Sequence, residues 1–157
     1  MTQIGIPDVA VEGREEIASA LQEALVDLVA LSLNGKQAHW QVTGRHFVPV
    51  HEQLDAIVTD ARDWSDLVAE RAITLGVPVD GRPDTVARTA VVGDFPEGFV
   101  DDDKAVAVVT QQVEQVVARM RARAHELGER DVVTQDVIIE ILRGLEKHLW
   151  MLQAQLV

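Results

Sequence analysis

The stretch from Lys36 to Arg71, KQAHWQVTGRHFVPVHEQLDAIVTDARDWSDLVAER, decides how the rest of the chain is read. It carries His39, His51, Asp55, Asp66 and Glu70. Imidazole and carboxylate together are the ligand types that suit a divalent ion such as iron. From Val48 to Leu75 the apolar residues recur with helical periodicity, and Pro49 stands in the first turn, where a missing N–H costs nothing. At about 100° per residue, His51, Asp55, Asp66 and Glu70 fall within an arc of roughly 100° and share one face of that helix.

These residues cannot meet at one metal within one chain. His51 and Asp66 are roughly 22 Å apart along a helix, whereas metal–ligand bonds are about 2 Å long. The face is nevertheless palindromic. His51 and Glu70 lie equally far from the point between residues 60 and 61, and so do Asp55 and Asp66. Two copies packed antiparallel about a two-fold axis at that point set His51 against Glu70 of the other copy and Asp55 against its Asp66. Such two-fold dimers are the commonest symmetric assembly. His39 and His51 lie equally far either side of Arg45, so a turn near Thr43 to His46 between antiparallel helices brings both imidazoles to one level. The expected constellation is His39, His51 and Asp55 from one subunit with Asp66 and Glu70 from the other.

Each residue alone has a plainer reading. His39 could be a hydrogen-bonded structural histidine, and His51 with Asp55 a helix-surface ion pair. Asp66 and Glu70 are like charges one turn apart, which Arg62, one turn before Asp66, would offset in part. The shared palindrome has no such explanation. Trp40, next to His39, is the aromatic expected to support the site, whereas Trp64 points away from the ligand face. His46, His125 and His148 have no carboxylate at consistent spacing and read as structural. No histidine follows a glutamate by three residues, so the intrachain di-iron motif Glu-x-x-His is absent.

Outward from this stretch, Gly13 to about Val42 reads as a long first helix, with Ile17, Leu21, Leu25, Leu28, Val29 and Ala38 on its apolar stripe. Gly44 marks the turn into the second helix, which stops at Gly76 with Pro78 beyond. The stretch from Val77 to Val100, broken by prolines and glycines, is too long for a hairpin loop. It suits a crossover along the bundle, with one helical turn at Asp84 to Ala90. Asp101 to Asp103 cap a third helix ending at Gly128, striped with Val106, Val109, Val113, Val116, Val117, Met120 and Leu127. A fourth starts near Thr134 and carries Val137, Ile138, Ile141, Leu142, Leu145, Leu149 and Leu152. Two antiparallel helices, one long crossover and two more helices make an all-α, ferritin-like four-helix bundle with a short helix between helices 2 and 3. It forms one domain over residues 1–157, with residues 1–12 as a loose N-terminal segment. Trp150 and Met151, off the core stripes, suggest subunit contacts.

Composition narrows the class. The 157 residues include no cysteine, which excludes disulfides and thiolate metal sites. No apolar run approaches a membrane span, and the N-terminus shows no secretory pattern, so a soluble cytoplasmic protein is expected. Net charge is −12, and the densest basic stretch, Arg119, Arg121 and Arg123, is bounded by Glu114 and Glu126. DNA binding is therefore not expected.

The residues KQAHWQVTGRHFVPVHEQLD and ARDWSDLVAER, with DGRPDTVA in the crossover and the closing LEKHLWMLQAQL, resemble the mini-ferritins, the DNA-binding proteins from starved cells (Dps). The resemblance covers nearly the whole chain. It implies that His39, His51, Asp55, Asp66 and Glu70 are ferroxidase ligands between two-fold-related subunits, holding up to two irons per site. It further implies a hollow dodecamer, Fe(II) oxidation by hydrogen peroxide in preference to oxygen, and storage of ferric mineral. Acidic iron-entry pores would be placed at Asp131 and Asp136. Family members that bind DNA usually do so through basic tails, which this sequence lacks. The competing reading is a metal-dependent hydrolase, for amides for example, in which the same His and carboxylate set activates water.

Overall fold

The computed structural model describes Val9 and residues 11–157. Residues 1–8 and 10, most of the segment expected to be loose, lie outside the described residues. Four long helices form the bundle: α1 (Arg14–Gln41), α2 (Phe47–Thr74), α4 (Asp102–Gly128) and α5 (Val132–Gln153). The short α3 (Pro83–Thr89) lies in the crossover between α2 and α4. The expected bundle and crossover helix are present, with ends displaced by one or two residues. One feature was not anticipated: Val42–Thr43 (β1) and Val100–Asp101 (β2) pair in parallel, Val42 opposite Val100 and Thr43 opposite Asp101.

The helix ends follow from local chemistry. Asp101 caps α4 by accepting from the Asp103 N–H, and Asp131 caps α5 by accepting from the N–H groups of Val133 and Thr134. α2 ends where Gly76 turns left-handed at φ 75°. The Val77 N–H there reaches back to the Ala72 carbonyl at 3.0 Å, and that of Gly76 to Ile73 at 2.9 Å. These two bonds form a Schellman cap, which favours glycine because a Cβ is costly at positive φ.

α1 packs along α2, and α4 along α5. Between the pairs, the stripes read from sequence meet: Ile17, Leu21, Leu28, Leu54, Ile57, Val109, Val113, Met120, Ile138, Ile141 and Leu145 are all buried. Each large side chain fully removed from water contributes about 1.5–3 kcal/mol. The valines of α4, modest helix formers alone, are helical because this burial outweighs their propensity.

Where α2 meets α5, the seam is pinned by polar groups. Gln155 donates to Gln53 over 2.7 Å, and His148 Nε2 donates to Asp60 over 2.6 Å. Arg71 bonds Asp131 at 2.7 Å and Thr134 at 3.0 Å. Trp64 lies over Gly144, where a Cβ would run into its ring, and stands edge-on to His148. It thus serves packing, away from the ligand face. His148, which sequence spacing leaves without an acid, finds one on another helix.

Candidate metal site

His39 is in the last turn of α1 and His51 at the start of α2, so the tight α1–α2 turn brings them together. Their rings stack, centroids 3.5 Å apart and 21° from parallel. Each ring also donates from Nδ1 to the other residue's backbone carbonyl, both at 2.9 Å. The carbonyl of His39 is one of the four that an α-helix leaves unpaired at its C-terminus, so the bond from His51 also caps α1. With Nδ1 occupied as a donor in both rings, Nε2 is the nitrogen left with a free lone pair in the neutral form. A carbonyl that fixes the tautomer in this way is the usual partner of a metal-ligating histidine.

Asp55 stands beside the pair, its Oδ1 4.0 Å from His39 Nδ1. The Lys36 ammonium bonds the same oxygen and, as the leading cause, holds the Asp55 carboxyl below its usual range. Phe47 packs against the His51 ring at 4.9 Å. Neither Lys36 nor Phe47 is singled out for the site by the sequence reading, although Phe47 stands one helical turn before His51 and Lys36 nearly one turn before His39. Trp40 is 63% exposed.

Asp66 and Glu70 are exposed further along α2 and are not brought to the histidines within the chain. Arg62 makes no ion pair with Asp66 among the described residues, so the like-charge pair is not offset in the expected way. Within one chain, then, His39 and His51 are clasped with Asp55 beside them, while Asp66 and Glu70 stand apart and exposed.

Among the described residues, the ligand atoms that do converge are in a different group. His46, Asp102 and Asp103 each bring one ligand atom within 4.8 Å of the others. The Asp102 carboxylate is already engaged: it accepts from the backbone N–H of His46 at 2.5 Å and of Asp103 at 2.9 Å. These N–H groups belong to the N-termini of α2 and α4, whose positive ends favour an anion and oppose a cation. The His46 N–H is the leading cause that holds the Asp102 carboxyl below its usual range. Asp102 thus joins the start of α2 to the first turn of α4. His46, read from spacing as lacking an acid, has Asp102 at 3.5 Å from its ring.

The two residues expected at an iron-entry pore differ. Asp136 is exposed on α5, whereas Asp131 is turned inward as the α5 cap and bound to Arg71. Burial works against the charge of Asp131, but the Thr134 and Arg71 bonds hold its carboxyl below the usual range. Within the chain that carboxylate is bonded both to the start of α5 and to Arg71 of α2.

No helix among the described residues is long and apolar enough to cross a membrane. A cavity of about 730 Å³ is lined by Ser19, Gln22, Val79, Arg82 and Thr85 among others, and by none of the candidate ligands.

Residues 18–157 match the ferritin-like domain family. The chain is 32% identical over 149 residues to DNA protection during starvation protein 2 of Deinococcus radiodurans, covering 95% of this chain. It spans 62% of that relative, less than two thirds of its length. It is 31% identical over 156 residues to the DNA protection during starvation protein of Mycolicibacterium smegmatis, covering 99% of this chain and 85% of that protein. Among solved structures it is similar to Dps from Microbacterium arborescens in its high iron form, with TM-score 0.83 and 37% identity over 94% of this chain and 99% of that one. The match over nearly the whole chain, in sequence and in fold, places this protein in the ferritin-like family, among the DNA protection during starvation (Dps) proteins.

Proposed function

We propose that the protein is a ferroxidase and iron store, oxidising Fe(II) at sites formed between two-fold-related subunits, with hydrogen peroxide as the preferred oxidant. The observation that carries the reading is the His39–His51 clasp, which commits both Nδ1 atoms to carbonyls and leaves both Nε2 atoms for a metal. The incomplete ligand set within one chain supports a shared site. So does the apolar pair that brackets the ligands on α2. Val48 and Ile73, 57% and 47% exposed, lie equally far from the point between residues 60 and 61. Antiparallel packing about that point buries each against the other. The iron-rich form of the Microbacterium arborescens relative agrees with iron as the ion handled.

In this reading Fe(II) is the substrate. Asp66 and Glu70 with His39 of the partner subunit bind one ion tightly, and His51 and Asp55, with water, bind a second more weakly. Two Fe(II) ions give one electron each to a single hydrogen peroxide, whose O–O bond breaks to two hydroxide ions. Both electrons are used together, so no hydroxyl radical is released. Trp40, exposed beside His39, is placed to intercept a stray oxidising equivalent. The ferric product accumulates inside a hollow dodecamer, with Asp131 and Asp136 as the candidates for the entry pore.

The test is anaerobic Fe(II) loading followed by measured additions of peroxide. The expected result is one peroxide consumed for every two irons oxidised, with oxygen reacting more slowly. The double variant Asp66→Asn with Glu70→Gln should lose this reaction. Unchanged oxidation in that variant would place the chemistry elsewhere.

A further inference from the structure

The His39–His51 clasp depends on the relative register of the C-terminus of α1 and the N-terminus of α2. Stacked rings at 3.5 Å, with two reciprocal hydrogen bonds, allow little sliding. The turn between the two helices spans only residues 42–46. It is held from outside by β2 and by one side chain at the start of α4.

That side chain is Asp102, 5% exposed. One of its carboxylate oxygens takes the His46 N–H that begins α2, and the other takes the Asp103 N–H that begins α4. Gly44, in the middle of the turn, lies so close that a Cβ there would stand 2.6 Å from the carboxylate. Its φ of 131° is also one that side-chain-bearing residues rarely adopt. Beside this contact, Thr43 Oγ1 donates to the Val100 carbonyl at 3.4 Å, and Val42 pairs with Val100. Every link between the turn and α4 named here falls between His39 and His51 in sequence.

We propose that Asp102 is a positioning residue for the metal site: by tying the start of α2 to the first turn of α4 through one carboxylate and seating Gly44 against it, it sets the register in which His39 and His51 clasp. Asp102 touches neither histidine and acts through the turn. Its consequence for metal binding rests on the function proposed above, whereas its effect on the clasp does not.

The test uses the full chain, first without metal and then with Co(II) as the probe. In Asp102→Asn one acceptor oxygen becomes an NH2 group, which cannot take the second N–H. The imidazole Nδ1–H resonances of His39 and His51, protected in the parent, should shift and exchange faster. Co(II) affinity should fall on the order of ten- to a hundredfold, the range typical when the support of a metal-binding histidine is lost. Gly44→Ala, which presses on the same carboxylate from the turn side, should move both readouts in the same direction and serves if Asp102→Asn folds poorly. Asp103→Asn, at the exposed neighbour that contributes its backbone rather than its side chain, should leave both unchanged.

Lower melting temperatures with unaltered Nδ1–H resonances in Asp102→Asn and Gly44→Ala would overturn the proposal, reducing Asp102 to a helix cap. If His39→Ala left Co(II) affinity unchanged, the metal-site reading would fail, while the metal-free resonances would still decide the role of Asp102.

Discussion

His39 and His51 donate to each other's backbone carbonyls at 2.9 Å, so both belong to the same half of any site completed by a second chain. In the proposed site Asp66 and Glu70 belong to the other half. Mixing His39→Ala with Asp66→Ala subunits should therefore regenerate native sites, about a quarter of the total if dimers form at random. Mixing His39→Ala with His51→Ala should regenerate none. Iron binding after demonstrated subunit exchange measures this, and equal recovery in both mixtures would exclude the proposed division.

Lys36 sits on the carboxylate of Asp55, which in the proposed site makes it a cation competing with the metal. Replacing it with methionine keeps the apolar stem and removes the charge. The weaker of the two metal ions should then bind several-fold more tightly, with the tighter ion little affected. Anaerobic titration with Fe(II) or Co(II) distinguishes the two steps. Weaker binding at the second step would show that Lys36 organises Asp55 instead of competing for it.

Asp27 is fully buried on α1, accepting from the Val91 N–H and bonded to Arg119, and burial pushes its carboxyl up to about 6. The folded state thus holds this proton more tightly than the unfolded chain does. The stabilising contribution is complete below the ordinary carboxylate value and is lost as pH rises through about 6. Asp27→Asn, which lacks this titration, should gain stability relative to the parent between pH 4 and pH 7, by on the order of 2 kcal/mol. Urea unfolding of both proteins across that range is the measurement. A constant difference would mean that Asp27 titrates normally.

Arg119, Arg121 and Arg123, the densest basic run, are each bound to an acid: Arg119 to Asp27 and Glu23, Arg121 to Glu146, and Arg123 to Glu23 and Glu126. With a net charge of −12, this surface repels phosphate backbones. Gel-shift assays at neutral pH and physiological salt should show weak DNA binding or none. Tight, metal-free complexes would contradict this prediction.

What the sequence determined by itself was local. Apolar residues every three or four positions specify helix faces whatever those faces later meet, so the stripes of α1, α4 and α5 were legible, as were Gly76 and the Asp101 cap. The common face of His51, Asp55, Asp66 and Glu70 was legible for the same reason. The meeting of His39 with His51 followed from symmetry about a short turn. Tertiary structure alone decided which groups separated by 50 or more residues come into contact: Asp102 with His46, His148 with Asp60, Arg71 with Asp131. Such pairs depend on how far each helix slides and rotates against its neighbour. Core packing and loop length set that register jointly, and no periodicity within one helix encodes it. Asp131 illustrates the difference: its acidity and place before α5 were visible in sequence, but its inward turn toward Arg71 exists only once α2 and α5 have docked.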